Sequence, residues 1–156
     1  MMESTYTAGG KLLTEKHTDR DGNTSQTSHT YDANGLLLAT DERYNSDHTR
    51  YEYEYDAAGR QRKRTVIDSA GKTVELTQFV YTGTDLTERI TTRSDGTTEK
   101  EVRTYDEYGN LLTHTAYYND TVSSACTYTY GHADLSPAAA KQLENLMHTV
   151  FVEFLP

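Results

Sequence analysis

Side chains that could carry catalysis or bind a metal are sparse in this chain of 156 residues. The six histidines are too widely spaced for a local metal-ligand motif, and no nucleophile or phosphate-binding signature is present. His29 and His114 could meet across a sheet, but exposed strand histidines are the favoured interpretation. Cys126 lies within SSACTYTY, where a buried small apolar side chain is expected. We predict a protein that is not an enzyme and has no catalytic residue, cofactor or metal.

One segment has a weak resemblance to a calcium loop. Asp19 and Asp21 alternate before Gly22, as the first ligands of such a loop do. Thr30 stands where the bidentate glutamate is expected, so an ordinary Asp-Gly turn is the favoured interpretation.

The only basic cluster runs from Arg60 to Arg64. If it is a strand, Arg60, Arg62 and Arg64 share one face. Glu52 and Glu54 of the preceding strand could then lie opposite them. In a chain of net charge −9 we favour cross-strand ion pairs over phosphate binding.

The composition indicates a β protein rather than a disordered one. Hydrophobic residues make up only 35% of the chain, but it contains 13 tyrosines and 26 threonines, which favour strands. The acidic balance argues against nucleic-acid binding, and no apolar run is long enough to span a membrane.

The strongest pattern is a tyrosine that recurs at a nearly constant interval. Successive spacings of 25, 24, 26, 24 and 25 residues separate Tyr6, Tyr31, Tyr55, Tyr81, Tyr105 and Tyr130. Three tyrosines begin the related phrases YDANGLLL, YDAAGRQR and YDEYGNLL, and two begin the weaker copies YTAGGKLL and YTGTDLTE. A second turn signal lies about midway through each unit, so each unit is predicted to be a β-hairpin.

The repeat predicts a mainly β fold. We expect about five antiparallel hairpins, or about ten strands, in one twisted, curved meander sheet. Repeats start near residues 6, 31, 55, 81 and 105 of a domain that spans 1–132. Within the segment 49–55, strand alternation puts Tyr51, Tyr53 and Tyr55 on one face.

Structural roles are expected for the recurring motif. The glycines should adopt a left-handed or bulged conformation, the aspartates should accept N–H bonds in the turns, and the tyrosines should stack as cross-strand pairs. The residues concerned are Tyr31, Asp32, Gly35, Tyr55, Asp56, Gly59, Tyr105, Asp106 and Gly109.

The segment 133–156 differs from the repeats. Ser136 and Pro137 form a helix start, and a helical apolar stripe runs from Leu143 to Val150. The last residues are apolar enough for a short strand. We predict a helix and a terminal strand that cap the same domain.

The phrase Tyr-Asp-x-x-Gly-x-Leu at this period resembles the YD repeats of bacterial RHS proteins, teneurins and related toxin shells. Departures occur at Thr7, at Thr82 with Asp85, and at Arg60 with Arg62. In the large members the hairpins wind into a spiral that encloses a toxin, and five hairpins are too few for that. The resemblance therefore implies a short bacterial YD-repeat protein.

The expected function is a non-enzymatic, secreted or cell-surface module that presents a Tyr- and Thr-rich sheet to a protein or carbohydrate partner. The alternative is a structural piece or companion of a larger RHS-type toxin system. A cytoplasmic location and self-association through sheet edges stay open. The candidate binding surface consists of Tyr51, Tyr53, Arg60, Arg62 and Arg64.

Overall fold

The structure, a computed structural model, describes residues 1–130. Those residues form one open antiparallel sheet with no helix, and its strands are ordered as in the sequence. The mainly β meander predicted from the repeat is confirmed. The strands are β1 (Met2–Tyr6), β2 (Leu12–Thr18), β3 (Thr24–Tyr31), β4 (Leu37–Tyr44), β5 (Asp47–Tyr55), β6 (Gln61–Ile67), β7 (Thr73–Thr82), β8 (Asp85–Arg93), β9 (Thr98–Tyr105), β10 (Leu111–Tyr118) and β11 (Thr121–Thr127).

The sheet has eleven strands, one more than expected. Each unit that starts at a repeat tyrosine contributes two strands, and the eleventh is β1, which precedes the first motif turn. The predicted cap at 133–156 and the domain boundary after residue 132 lie outside the described residues.

Two sets of turns define two edges of the sheet. The motif edge holds the turns that follow the repeat tyrosines, at 7–11, 32–36, 56–60, 83–84 and 106–110. The opposite edge holds the turns at 19–23, 45–46, 68–72, 94–97 and 119–120.

The motif turns have the conformation predicted for their glycines. Gly35, Gly59 and Gly109 have φ values of 82°, 78° and 82°. In the second turn Gly35 N–H donates to the Asp32 carbonyl at 3.0 Å, and Asp32 N–H donates to the Leu36 carbonyl at 2.9 Å. This is a three-residue hairpin loop, in which a left-handed residue follows a tight turn.

A β-bulge follows every motif turn. In the second hairpin Thr30 pairs with Ala39 and Tyr31 pairs with Leu37, which leaves Leu38 as the extra residue. The same register shift occurs in the other four hairpins. The extra residues are Leu13, Leu38, Arg62, Thr87 and Leu112.

The sheet contains very little buried apolar surface. Ala39, 3% exposed, is the only buried hydrophobic residue in the described part of the chain. The other buried side chains are threonines, namely Thr40, Thr77 and Thr91. Backbone ladders and cross-strand pairs, each worth about 0.2–1 kcal/mol, therefore replace a conventional core.

Directly opposite residues define the two faces. Tyr53, Arg64, Thr77 and Thr91 lie in one row across β5 to β8, on the side named the threonine face. The row Glu54, Lys63, Gln78 and Ile90 lies on the other side, named the lysine face.

Candidate functional site

Each repeat tyrosine after the first joins its hairpin to the preceding one. The Tyr55 hydroxyl donates to the Leu37 carbonyl at 2.8 Å, from the end of β5 to the start of β4. The equivalent bonds, 2.9 to 3.0 Å long, run from Tyr31 to Leu12, Tyr81 to Gln61, Tyr105 to Leu86 and Tyr130 to Leu111. Five copies of one contact make this hydroxyl the repeat's link between hairpins.

The tyrosine bond is needed because neighbouring hairpins separate at the motif edge. The last ladder pair between β4 and β5 is Ala39 with Glu52. Beyond that pair the Leu37 carbonyl has no strand partner there, and the Tyr55 hydroxyl supplies its hydrogen bond. Burial raises the pKa of Tyr55 above its usual value.

The predicted stacking of repeat tyrosines is wrong. They lie on alternate strands, so about 10 Å of sheet separates neighbouring ones, too far for ring contact. Within residues 1–130 the ring pair found is His29 with Tyr31, at 6.3 Å between centroids. The tyrosines act through their hydroxyls instead.

The motif aspartates order the turns that follow them. Asp32 Oδ1 accepts N–H bonds from Asn34 at 2.9 Å and Leu36 at 2.7 Å. Asp56 and Asp106 accept the equivalent pairs of bonds. The Arg60 backbone N–H and then the Arg60 side chain hold the pKa of Asp56 below its usual value. These geometries agree with the roles expected of Asx residues.

The gap that separates neighbouring hairpins at the motif edge is named a notch. The last residue of the motif turn decides what occupies it. At the third turn Arg60 donates through Nε to Asp56 Oδ2 at 2.8 Å and through Nη1 to the Gly83 carbonyl. Its guanidinium carbon lies 4.5 Å from the centroid of the Tyr81 ring. The side chain therefore spans from its own turn to the next hairpin.

Lys11 occupies the same position in the first turn. Its Nζ donates to the Gly35 carbonyl at 2.5 Å and lies 5.3 Å from the centroid of the Tyr31 ring. In the fifth turn the smaller Asn110 bonds back to Asp106 Oδ2 at 2.9 Å. Two of the notches are thus bridged by a basic side chain.

The second turn has Leu36 at this position, and the notch beside it is open. This Leu36 notch has a volume of about 850 Å³ and lies between the second and third motif turns. Its lining combines carboxylates, the backbone of the third motif turn, two tyrosines, two leucines and the side chain of Arg62. The lining residues used below are Asp32, Leu36, Leu38, Tyr53, Tyr55 and Gly59.

The predicted binding surface is divided by the structure. Tyr51, Tyr53 and Arg64 share the threonine face. Arg62 is the bulge residue and approaches Glu54 at 3.7 Å, beside Lys63 on the lysine face. The prediction that Arg60, Arg62 and Arg64 share a face is wrong, because the bulge adds a residue that strand alternation does not count.

The predicted opposition of the arginines to Glu52 and Glu54 is only partly observed. Lys63, not an arginine, makes the short contact to Glu54, at 2.8 Å. Arg64 instead bonds to Glu75 of the following strand at 2.5 Å. Glu52 contacts Arg50 of its own strand at 2.9 Å.

Ion pairs continue across the threonine face. Glu75 also lies 3.5 Å from Arg93, which contacts Glu99 at 3.0 Å. The Arg93 hydrogen bond lowers the pKa of Glu99. Arg93 and Glu99 were not singled out in the sequence, because they stand on opposite sides of the turn at 94–97 and meet only through the strand register.

The remaining candidate residues are separated or structural. His29 on β3 and His114 on β10 lie seven strands apart and do not meet. Cys126 is exposed on β11, so the expectation that it is buried is wrong. As the last described strand, β11 has a ladder partner on one side only.

The Asp19 turn uses its own carboxylate. Asp19 Oδ1 accepts the N–H groups of Asp21 and Asn23, each at 2.9 Å, and Oδ2 accepts the Asn23 side-chain amide at 2.8 Å. Residues 1–130 contain no group of three or more metal-ligating side chains and no helix that could cross a membrane.

The residues missed by the sequence reasoning are the bulge residues, the carbonyl acceptors and Lys11. A signal was present for the first two sets. The repeated pair of leucines in LLL and LL phrases marks both the acceptor, such as Leu37, and the bulge, such as Leu38. Lys11 carries no comparable signal, because its partners Gly35 and Tyr31 are over 19 residues away.

Comparison with known families identifies the repeat. The RHS repeat family model matches residues 31–74. Those residues contain two of the best motif copies, with Asp32 and Gly35 in one and Asp56 and Gly59 in the other. The resemblance to the RHS/YD-repeat family is therefore confirmed.

Comparison with individual proteins adds less. None of the curated proteins matches the chain. Among solved structures, a chain in the crystal structure of TcdB2-TccC3-Cdc42 is similar over 81% of this chain, with 18% identity and a TM-score of 0.35. The chain spans only 8% of that chain's length. No functional conclusion follows from similarity at this level.

Proposed function

We propose that this chain is a non-enzymatic scaffold and binding module of an RHS-type system, secreted or at the bacterial cell surface, whose partner is a protein. The match of residues 31–74 to the RHS repeat supports this assignment. The observation that carries it is the open sheet itself, which buries almost no apolar side chain in the described residues.

The threonine face offers a polar contact surface. Half-buried Tyr51 and Tyr53 lie on the threonine face beside the ion pairs of Arg64 and Arg93. Burial, reinforced by the nearby Glu42 charge, raises the pKa of Tyr51. A rigid sheet with tyrosines and arginines is a surface type enriched in protein recognition.

A structural role in a larger assembly follows from the same geometry. Each hairpin joins the next by one tyrosine bond and one set of ladder bonds, so the array can act as a wall of repeated units. This alternative shares the non-enzymatic scaffold role and differs in whether the partner is another RHS-type chain.

Co-expression with the proteins encoded beside it tests the proposal. We expect a stoichiometric complex in native mass spectrometry, in which hydrogen exchange slows across β5 to β9 relative to the free chain. If the chain forms no complex with any of these co-expressed proteins, a protein partner is contradicted. Binding to glycans on an array, with protection of the same strands, contradicts it as well. Turnover of a hydrolase substrate contradicts the non-enzymatic role.

A further inference from the structure

The filled notch beside Arg60 shows which groups hold a cation at the motif edge. The guanidinium contacts a motif carboxylate, Asp56, with Nη2 at 2.7 Å and Nε at 2.8 Å. It also meets the Gly83 carbonyl and the Tyr81 ring. Such a combination of a carboxylate, a carbonyl and an aromatic face satisfies both the charge and the donors of arginine.

The Leu36 notch contains the same three kinds of group, and the basic side chain in its lining, Arg62, lies 3.7 Å from Glu54 and forms no ion pair with Asp32. Asp32 stands where Asp56 does, Tyr55 where Tyr81 does, and Gly59 shares the motif position of Gly35, whose carbonyl accepts from Lys11. Asp32 Oδ1 serves the turn, and no bond among the described residues uses Oδ2. Leu36 cannot supply the missing cation.

Two of the three carboxylates that line the notch are paired with cations of this chain, and Asp32 is not. Glu54 is neutralised by Lys63 at 2.8 Å, and Asp56 by Arg60 at 2.7 Å. Asp32 has no cationic partner within the described residues, and the chain as a whole carries a net charge of −9. Leu36 and Leu38 add an apolar wall suited to the methylene stem of a long basic side chain.

We infer that the Leu36 notch binds an arginine side chain of the protein partner, held by Asp32, the Gly59 carbonyl and the Tyr55 ring. The inference rests on the proposed function and specifies the chemistry of its partner. The chain itself supplies the precedent, because Arg60 makes the equivalent contacts in the adjacent notch, between the third and fourth motif turns.

Titration with a minimal probe tests the notch directly. N-acetyl-arginine methylamide is added to the full-length, ¹⁵N-labelled chain, and the neutral citrulline analogue serves as the matched probe. We expect saturable shifts of the Gly59 amide and the Tyr55 ring, with binding at least about tenfold weaker for citrulline, a difference of about 1.4 kcal/mol. Equal shifts with both probes, or no saturable shift, overturn the inference.

A pair of variants locates the site. Leu36→Arg should fill the notch from within, abolish the arginine-probe shifts at Gly59 and raise the melting temperature. Leu36→Met, with similar length and no charge, should retain them. Retention of the shifts in Leu36→Arg overturns the inference.

The partner complex separates the two proposals. If Leu36→Arg forms the stoichiometric complex with unchanged affinity, the notch does not hold the partner's arginine, but the scaffold function stands. If neither Leu36→Arg nor the parent chain forms any complex, the scaffold function fails as well. A loss of at least about tenfold in affinity for Leu36→Arg alone supports the notch.

Discussion

The two edges of the sheet satisfy backbone groups with different side chains: tyrosine hydroxyls donate to carbonyls at the motif edge, and asparagine side chains accept from N–H groups at the opposite edge. At the motif edge neighbouring hairpins separate, and a tyrosine hydroxyl reaches across to a carbonyl such as that of Leu37. At the opposite edge an asparagine closes the ladder at two of the turns, 45–46 and 119–120. Asn119 accepts from Thr98 N–H through its side chain and donates to the Thr98 carbonyl through its backbone, both at 2.9 Å.

The difference shows where the repeat leaves room for a ligand. The short side chains of Asn45 and Asn119 bond directly to the N–H groups at the starts of β3 and β9, so the strands stay paired at those positions of the opposite edge. Tyr55 spans a gap, and that gap is the Leu36 notch. A long side chain that bridges separated strands holds the fold together and leaves open space beside the bridge.

The largest effect is expected from a turn glycine at the motif edge. Gly109 has φ +82°, and an added Cβ would have open space, so Gly109→Val penalises only the backbone conformation. We expect a loss of about 1–3 kcal/mol in unfolding free energy, measured by urea denaturation. Gly9→Val, in a turn glycine without positive φ, is the control. An unchanged midpoint for Gly109→Val would mean that the slot tolerates ordinary side chains.

The tyrosine bridge should have the next largest effect. Tyr55→Phe removes the hydroxyl and leaves the Leu37 carbonyl without its partner, for an expected cost of about 0.5–1.5 kcal/mol. Tyr53→Phe, on the same strand without a side-chain hydrogen bond among those found, is the matched control. Equal losses in both variants would show that the ring, rather than the hydroxyl, links the hairpins.

A smaller effect is expected at the opposite edge. Asn119→Gly keeps the positive φ of 46° but removes the bond to Thr98 N–H, an exposed contact worth about 0.5 kcal/mol. The melting temperature should fall by less than it does in Tyr55→Phe. If Asn119→Gly is the more damaging variant, the opposite edge contributes more to stability than the motif edge.

The smallest effect concerns pH. The Arg60 contacts lower the pKa of Asp56 in the folded chain, so the folded state binds its proton less readily than the unfolded state. The stabilisation is therefore present at neutral pH and is lost as pH falls through about 4 and below. Asp56→Asn should melt below the parent chain at pH 7, and the gap should close in acid. A gap that persists at pH 2 would indicate steric disruption rather than lost charge.

Much of this architecture could be predicted from the period of the sequence. Tyrosines 24 to 26 residues apart, with glycine four residues after four of them, indicate hairpins and left-handed turns. The faces of the basic cluster could not be predicted, because the bulge at Arg62 interrupts the alternation. The exposure of Cys126 depends on its position in the last described strand, and the pattern of a strand does not reveal its place in the sheet.

The Leu36 notch could not be predicted for a different reason. Its groups come from two consecutive motif copies, and the sequence of each copy alone predicts only an ordinary turn. Only the register brings Asp32 and Tyr55 to one gap. Comparison of the motif copies does reveal that the residue before each acceptor carbonyl varies. The residues at this position are Lys11, Leu36, Arg60, Asp85 and Asn110.

The sequential order of strands has a kinetic consequence. The most distant ladder partners, such as Ser25 with Tyr44 and Glu99 with Tyr118, are 19 residues apart. Loop closure over such short stretches costs little entropy, so each hairpin can form as soon as it leaves the ribosome and serve as the template for the next. Folding of this kind proceeds along the chain one hairpin at a time. The tyrosine of each new hairpin can form its hydrogen bond only when the previous hairpin is already folded.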